Sequence, residues 1–378
     1  MNDVNRREFL STAGKGLAAA TLATSVASHV RAQQAPTEKV GKPLGYALVG
    51  LGRLTINELL PALQQCKHSK CTALVSGDPE KAKKLATQFG VNEKSIYNYE
   101  NYDRLAENPD VDVIYIVLPN GMHAEYTIRG FKAGKHVLCE KPMANSVAEC
   151  QQMIDAGKQA NKKLMIAYRV RHEPHHIRAI KMARDKELGA IKVITADVGF
   201  NMSLESSPWR FDKKLAGGGA LLDVGIYALN ACRFIVGEEP TDVNAVTFTP
   251  TDDPRYKEVE ESANFQLKFP SGVLANCSTS YSYTGVFRYR MICTDGWYEL
   301  DPAISYRGIA MRMKKGGSGV QELKEPEINQ FAAEMDHFSQ CVMENKEALT
   351  AGDEGLKDMR VIEAIYQSAN EGKSVKLS

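Results

Sequence analysis

From residue 44 onward, short apolar runs alternate with segments whose apolar residues recur every three or four positions. Residues 45–49, 71–75, 111–118 and 137–139 are rich in Val, Ile and Leu, and helical spacing fills 56–63, 79–90 and 124–133 between them. Strands buried on both faces read as continuous apolar runs, and their alternation with helices predicts a parallel, doubly wound sheet. A last strand of this kind lies at 164–166, followed by a helix at 174–186, an alternating strand at 191–199 and an apolar helix at 221–236. Beyond 243 the period drops to two. Strands are predicted at 245–249, 262–269, 273–281, 288–294, 297–300 and 309–313, with turn signals such as Pro270-Ser271-Gly272 and Asp295-Gly296 between them. That pattern predicts a mostly antiparallel open sheet, with one face for its helices and one free for association. Helices near 328–345 and 353–371 close the chain. The fold class is therefore α/β for a first domain at 44–165. A second, α+β domain follows at 166–378, and its C-terminal helices can pack back on the first.

Composition narrows the class. With 378 residues, 43% apolar and 25% charged, the chain can build about two domains with real cores. A formal charge of +1 argues against nucleic-acid and membrane-surface partners, which usually select a basic excess. No run of about 18 apolar residues is present, so no membrane-spanning helix is expected. Eight scattered cysteines include no CxxC, and several sit in apolar runs, where a thiol behaves as a small hydrophobe.

The first 32 residues look like an address. Arg6-Arg7-Glu8-Phe9-Leu10 precedes a weakly apolar stretch at 17–23, and Val30-Arg31-Ala32 offers a cleavage site. Paired arginines make it a twin-arginine signal, which places the mature protein in the periplasm and, once removed, takes the formal charge from +1 to −1. Residues 33–43 are polar and proline-bearing and should form an extended arm.

Four stretches carry chemistry. Gly50-Leu51-Gly52, with Arg53 and Leu54, joins the first strand to a helix, where glycines let a pyrophosphate approach the helix N-terminus. Thr55 stands where the dinucleotide fingerprint wants a third glycine. The second strand ends in Ser76-Gly77-Asp78, with Lys81 a turn further on. A hydroxyl and a cation suit a ribose 2′-phosphate, although Asp78 could still reach a 2′-hydroxyl. Glu140-Lys141-Pro142 follows the strand at 137–139; proline biases Lys141 toward an extended backbone at a strand end, the place where open α/β sheets bind ligands. Gly217-Gly218-Gly219 leads into the helix bearing Asp223 and Tyr227, four apart and so on one face. His172, Glu173, His175 and His176 match no zinc spacing, and Pro174 interrupts them.

Taken together, these stretches resemble the glucose–fructose oxidoreductase branch of the Gfo/Idh/MocA family. The resemblance rests on residues 45–52, Leu74-Val75-Ser76-Gly77, Lys135 to Pro142, Asp223-Val224-Gly225-Ile226-Tyr227 and Glu238-Glu239-Pro240, together with the signal. It implies a Rossmann domain and an open-sheet domain that associates into a homo-oligomer through the sheet. It also implies a tightly held NADP, an arm reaching over a neighbouring subunit, and Lys141, Asp223 and Tyr227 as the catalytic set. The cofactor site would include Gly50, Leu51, Gly52, Arg53 and Leu54 at the first turn, and Ser76 and Lys81 at the ribose. Leu118, Pro119, Asn120 and His123 would follow the third strand. Glu140, Lys141, Arg169, Trp209 and Arg210 would lie nearer the nicotinamide. The stretch 168–172 and the loop at 201–212 depart from the branch's pattern and should line the sugar pocket.

The expected reaction oxidises an aldose at C1 to its lactone and reduces a second sugar with the same hydride. Tyrosine is a poor base, with a free pKa of about 10, and a neighbouring lysine cation would lower it. Tyr227 is thus the acid/base candidate, with Lys141 tuning it and binding the reacting oxygen, and Asp223 holding hydroxyls. Lys141 and Tyr227 could exchange roles. Two other readings stand beside this one: an NADP-dependent aldose dehydrogenase with exchangeable cofactor, and a non-catalytic sugar- or nucleotide-binding protein.

Overall fold

The computed structural model describes residues 41–205 and 207–377. The expected signal, and all but the last three residues of the expected arm, lie outside them.

Six strands form the first sheet: β1 (Leu44–Val49), β2 (Ser69–Val75), β3 (Ile96–Tyr97), β4 (Val113–Ile116), β5 (His136–Glu140) and β6 (Leu164–Ala167). Every pair is parallel and the order is β3-β2-β1-β4-β5-β6, a doubly wound arrangement with its switch point between β1 and β4. The connecting helices are α1 (Leu60–Leu63), α2 (Pro79–Phe89), α3 (His123–Lys132) and α4 (Val147–Gln159). Local chemistry explains their ends. Asp78 caps α2 by accepting from the Lys81 amide at 3.0 Å, Pro79 occupies the first turn, and Gly90 ends the helix in the left-handed region. Helix α4 has no counterpart among the elements expected from periodicity. Its signal was nonetheless present, because Ser146 caps the Glu149 amide in a Ser-x-x-Glu box.

The second sheet takes in β7 (Ile191–Gly199), β8 (Asp242–Phe248), β9 (Ser262–Lys268), β10 (Leu274–Ser280), β11 (Val286–Cys293), β12 (Gly296–Leu300), β13 (Met311–Lys315), β14 (Gln321–Leu323) and β15 (Val375–Lys376). The order is β14-β13-β12-β11-β7-β10-β9-β8-β15. The β7–β10 pair is parallel and the others are antiparallel, because the chain crosses over between β7 and β8 instead of turning straight back. Side chains alternate cleanly. In β9, Ala263, Phe265 and Leu267 face the core while Asn264, Gln266 and Lys268 face out. The helical side is covered by α5 (Pro174–Arg184), α7 (Ile226–Val236) and α9 (Gly352–Glu371). The outer side carries exposed apolar residues, including Val246, Phe248, Leu274 and Ile292. The short α6 (Lys213–Ala216) precedes the glycine run and α7. The stretch Lys213–Val236 is long and apolar enough to cross a membrane, but 78% of its most apolar window is buried against protein, so it is a core helix.

Helix α8 (Gln330–Met343) packs on the first sheet. Its Phe331, Met335 and Phe338 join Tyr46 and Leu48 of β1 in one apolar cluster, each such side chain contributing about 1.5–3 kcal/mol. Tyr46 donates to the Met335 carbonyl at 2.9 Å, and Asp336 accepts from the amides of Lys67 and His68. The opposite face of the sheet packs on α3, α4 and α9. All eight cysteines are free thiols; six are buried and Cys66 and Cys71 half-buried.

Candidate active site

The chain leaves β1 through Gly50, whose φ of +94° and proximity to the Val117 carbonyl exclude a side chain: a Cβ there would sit 2.3 Å from that oxygen. A Cβ on Gly52 would meet nothing within 4 Å. The turn thus has open space in front of a helix start, as a bound pyrophosphate requires. Thr55 explains the missing third glycine. It is fully buried and its hydroxyl donates to the Gly50 carbonyl at 2.6 Å, closing the turn with a side-chain bond. Leu51 is buried beside it, and Leu54 leads into the π-helical turn Thr55–Leu59. A second π-helical turn, Leu221–Gly225, carries Asp223. Irregular turns of this kind gather at functional sites.

At the end of β2, Ser76 is buried and its Oγ accepts from the Asp78 amide at 3.0 Å. Asp78 commits Oδ1 to capping α2, and Lys81 stands on that helix's first turn. This geometry fits a 2′-phosphate between a hydroxyl and a cation. The segment after β4 is used internally. Asn120 donates to the Ala216 carbonyl at 2.8 Å, and the buried His123 ring faces the carbonyls of Pro142 at 2.8 Å and Leu118 at 2.9 Å. Both side chains fasten the walls of the site. Among the expected cofactor residues, Asn120 and His123 thus also brace the structure through these bonds. Leu118 is buried, and Pro119 starts the turn that Asn120 pins.

Lys141 leaves the end of β5 through a cis bond to Pro142 and meets the glycine-led helix. Its Nζ donates to the Asp223 carbonyl at 2.6 Å, lies 3.7 Å from Asp223 Oδ1, and sits 4.8 Å from the centroid of the Tyr227 ring. The three predicted catalytic residues therefore converge. Asp223 has two further partners: Arg210 Nε at 2.9 Å and the Tyr281 hydroxyl at 3.0 Å, both on Oδ2. Burial alone would push its carboxyl up, but Arg210 and Lys141 outweigh that and hold it below the usual carboxylate range. Burial pushes the Lys141 amine down, against the pull of Asp223 and Glu140. Arg53 and Arg210 both donate to Ser207 Oγ at 3.1 Å, tying the cofactor turn to the loop of the second half. Arg210 also stacks on the half-buried Trp209.

The helix is set by a buried carboxylate. Glu260 accepts from the amides of Gly219 at 2.9 Å and Leu221 at 3.0 Å, and Tyr366 donates to it at 3.0 Å. A Cβ on Gly219 would lie 1.9 Å from the Glu260 carbonyl, which is why glycine stands there.

On the other side of the Tyr227 ring stands Arg169. Its guanidinium carbon is 5.3 Å from that ring's centroid, 4.6 Å from Tyr306's and 5.6 Å from Phe331's. Burial pushes the Tyr227 phenol up, and Arg169 is the group that most opposes the rise. Lys141 faces the ring, not the hydroxyl. Lys141, expected to lower the phenol, is not among the main influences on it, and the cation that opposes the rise is Arg169. Deeper in, Tyr115 donates to Glu140 at 2.8 Å and approaches Glu334 of α8 at 3.5 Å. Glu334 is fully buried, and burial and then the nearby Glu140 push it well above the usual carboxylate range. Tyr115, Tyr281, Tyr306, Gln330 and Glu334 did not emerge from sequence reasoning. For the α8 pair a signal existed: Gln330 and Glu334 are polar residues one turn apart among the buried Phe331, Met335 and Phe338.

The four histidine-region residues are used structurally. His175 pairs with Glu173 at 2.7 Å, His176 faces the Ala303 carbonyl at 2.7 Å, and His172 packs on His337. Among the described residues no group of three or more His, Cys, Asp or Glu is placed to hold a metal.

A doubly wound sheet with a glycine turn after β1, and a lysine at the end of β5 that meets a carboxylate and a tyrosine of the second half, defines a dinucleotide-binding oxidoreductase. Residues 44–168 match the oxidoreductase family with an NAD-binding Rossmann fold, and residues 176–299 match the GFO/IDH/MocA C-terminal domain; the chain belongs to the GFO/IDH/MocA oxidoreductase family. A crystal structure of aldose-aldose oxidoreductase from Caulobacter crescentus, complexed with glycerol, superposes with a TM-score of 0.86 and 49% identity, covering 89% of this chain and 100% of that one. A D-xylose 1-dehydrogenase (NADP(+)) from Haloferax volcanii is 30% identical over 88% of this chain and 99% of its own. A second enzyme of that name, from Haloarcula marismortui, is 29% identical over 89% and 93%.

Proposed function

We propose that this protein oxidises an aldose at C1 to its lactone and returns the hydride to a second sugar through an NADP that stays bound between the two half-reactions. The observation that carries the reading is the convergence of Lys141, Asp223 and Tyr227, joined to the glycine turn through Arg210, Ser207 and Arg53. The likeness to an aldose-aldose oxidoreductase at 49% identity supports an aldose as the second sugar as well.

When bound, the nicotinamide supplies the hydride acceptor and later the hydride donor. The protein supplies the rest. Gly50, Leu51 and Gly52 with the helix start hold the pyrophosphate, and Ser76 and Lys81 hold the 2′-phosphate. Lys141 binds the C1 oxygen and stabilises the negative charge that grows on it. Tyr227, as the phenolate, takes the hydroxyl proton as the C1–H bond breaks, and gives that proton to the second sugar's oxygen in the reverse step, which restores the phenolate. Asp223, held by Arg210 and Tyr281, orients Lys141. Burial behind the Trp209–Arg210 loop keeps water from the reacting atoms.

The test is to incubate purified protein with two aldoses, one isotopically labelled, and no added cofactor. Lactone from one and alditol from the other, with nicotinamide absorbance retained after purification, are expected. Turnover only on addition of NADP would instead assign the exchangeable dehydrogenase reading, which the two xylose dehydrogenase relatives favour. We also propose export through the twin-arginine start of the chain. Association of copies through the outer sheet face is proposed from the exposed Val246, Phe248, Leu274 and Ile292. Phe248→Asp should then shift the mass in solution toward the monomer.

A further inference from the structure

Arg169 is an unusual cation. It is 5% exposed, and its two strong hydrogen bonds go to neutral oxygens: Nη1 to Gln330 Oε1 at 2.6 Å and Nη2 to the Ile304 carbonyl at 2.5 Å. Among the described residues no carboxylate lies within 4 Å of it, whereas the other buried arginine, Arg233, is paired with Asp358 and Glu239. Its ring neighbours are Tyr227, Tyr306 and Phe331, and Glu140, beyond ion-pair distance, is the carboxylate that its charge feels. A buried charge left without a counter-ion is costly, and a fold normally pairs it. Gln330 secures the exception. Its amide nitrogen donates to the carbonyls of Ser305 and Tyr306, both at 2.9 Å, so its oxygen is fixed toward the guanidinium.

We propose that Arg169 is a positioning residue whose unpaired charge is reserved for Tyr227, so that the missing counter-ion is the phenolate formed when Tyr227 gives up its proton. This deepens the functional reading above and rests on it. Lys141 is less suited to this role, because it donates to the Asp223 carbonyl and lies against the carboxylate that it shares with Arg210. The other groups around the phenol work against ionisation or stay neutral: Glu140 from β5 and Glu334 from α8 raise it, Tyr306 stands across Arg169, and Tyr289 of β11 is buried nearby. Asp223 precedes Tyr227 by one turn and is committed to Lys141 and Arg210. Arg169 is the cation that opposes them.

The test follows the phenol directly. In protein labelled at tyrosine Cζ, the nuclear magnetic resonance signal that disappears in Tyr227→Phe reports the ionisation of Tyr227 without turnover. Arg169→Gln should move its titration to higher pH and leave Arg169→Lys between it and the wild type. Gln330→Glu keeps the arginine but hands it a carboxylate, and should move the titration the same way. Hydride transfer from an aldose to bound NADP, measured in a single turnover at neutral pH, should fall on the order of ten-fold for each pH unit the midpoint moves, and recover at higher pH. An unchanged Tyr227 titration in both Arg169→Gln and Gln330→Glu would overturn the proposal. So would loss of NADP binding in Arg169→Gln with the phenol unmoved, which would return Arg169 to the cofactor site. Absence of sugar oxidation in the wild type, with the titration shifts present, would defeat the assigned reaction and leave the Arg169–Tyr227 pairing standing.

Discussion

The two sides of the Tyr227 ring hold a cation each, and they are managed in opposite ways. On one side, Lys141 and Arg210 share the single carboxylate of Asp223 within a cluster that also takes in Tyr281. On the other, Arg169 has neutral oxygens and rings as its direct contacts, with the Glu140 carboxylate beyond ion-pair distance. The difference teaches what each cation is for. A paired charge holds geometry and contacts a polar substrate at little cost in desolvation. An unpaired one raises the energy of the resting site and is repaid when negative charge develops next to it.

Substitutions separate the two sides. The largest effect is expected from Tyr227→Phe, which removes the proton carrier common to both. Its kcat should drop by about 10²–10⁴-fold with NADP retention unchanged. Near-normal kcat would mean that proton transfer runs elsewhere. Lys141→Met should cost about 10²–10³-fold in kcat, as expected for loss of a donor to the developing oxyanion. The comparison predicts that it leaves the Tyr227 titration closer to wild type than Arg169→Gln does, and the same resonance experiment decides this.

Asp223→Asn breaks only the paired side, leaving Lys141 and Arg210 facing each other. A loss of about 3 kcal/mol is expected at neutral pH by chemical denaturation. Because the folded carboxyl sits below its ordinary value, its stabilisation is present above the unfolded pKa of about 3.9 and is lost as pH falls through the lower folded value. The gap between wild type and variant should therefore close on acidification. A gap independent of pH would show that the loss is one of packing.

The smallest change is expected from Glu334→Gln. The folded carboxyl holds its proton to higher pH than the unfolded one, so above the unfolded Glu pKa of about 4.3 rising pH costs the native protein stability until the raised folded value is reached. A neutral amide has no such dependence. The stability difference should therefore move in favour of the variant as pH rises from about 4.3 toward neutrality. Parallel curves would mean that Glu334 is ionised in the fold.

Much of this arrangement was legible before any coordinates. Buried apolar runs identified the parallel sheet, and the period of two from 243 onward identified the open one. Gly50, Gly52, Lys141, Asp223 and Tyr227 announced themselves because each sits at a strand end or at a helix start, where spacing has a direct chemical meaning. Arg169 could be flagged as part of the site but not assigned to the phenol, because it lies in a four-residue 3₁₀ turn with no periodicity. Gln330 and Glu334 left a faint signal, two polar residues one turn apart in an apolar helix, but nothing in it tied them to Tyr227. They are more than 100 residues from Tyr227 along the chain and meet it only because α8 returns to β1. That Asn120 and His123 also brace the site has the same origin, since backbone carbonyls brought close by tertiary packing leave no trace in sequence.

The return of α8 has a bearing on how the polypeptide matures. A nascent chain that has not yet emerged past residue 330 lacks the helix that covers β1 and the glutamine that steers Arg169. Partially synthesised molecules would carry a glycine turn and a lysine but an unfinished proton-transfer apparatus. A fragment that ends before this helix would lack both contacts however well its first sheet had formed.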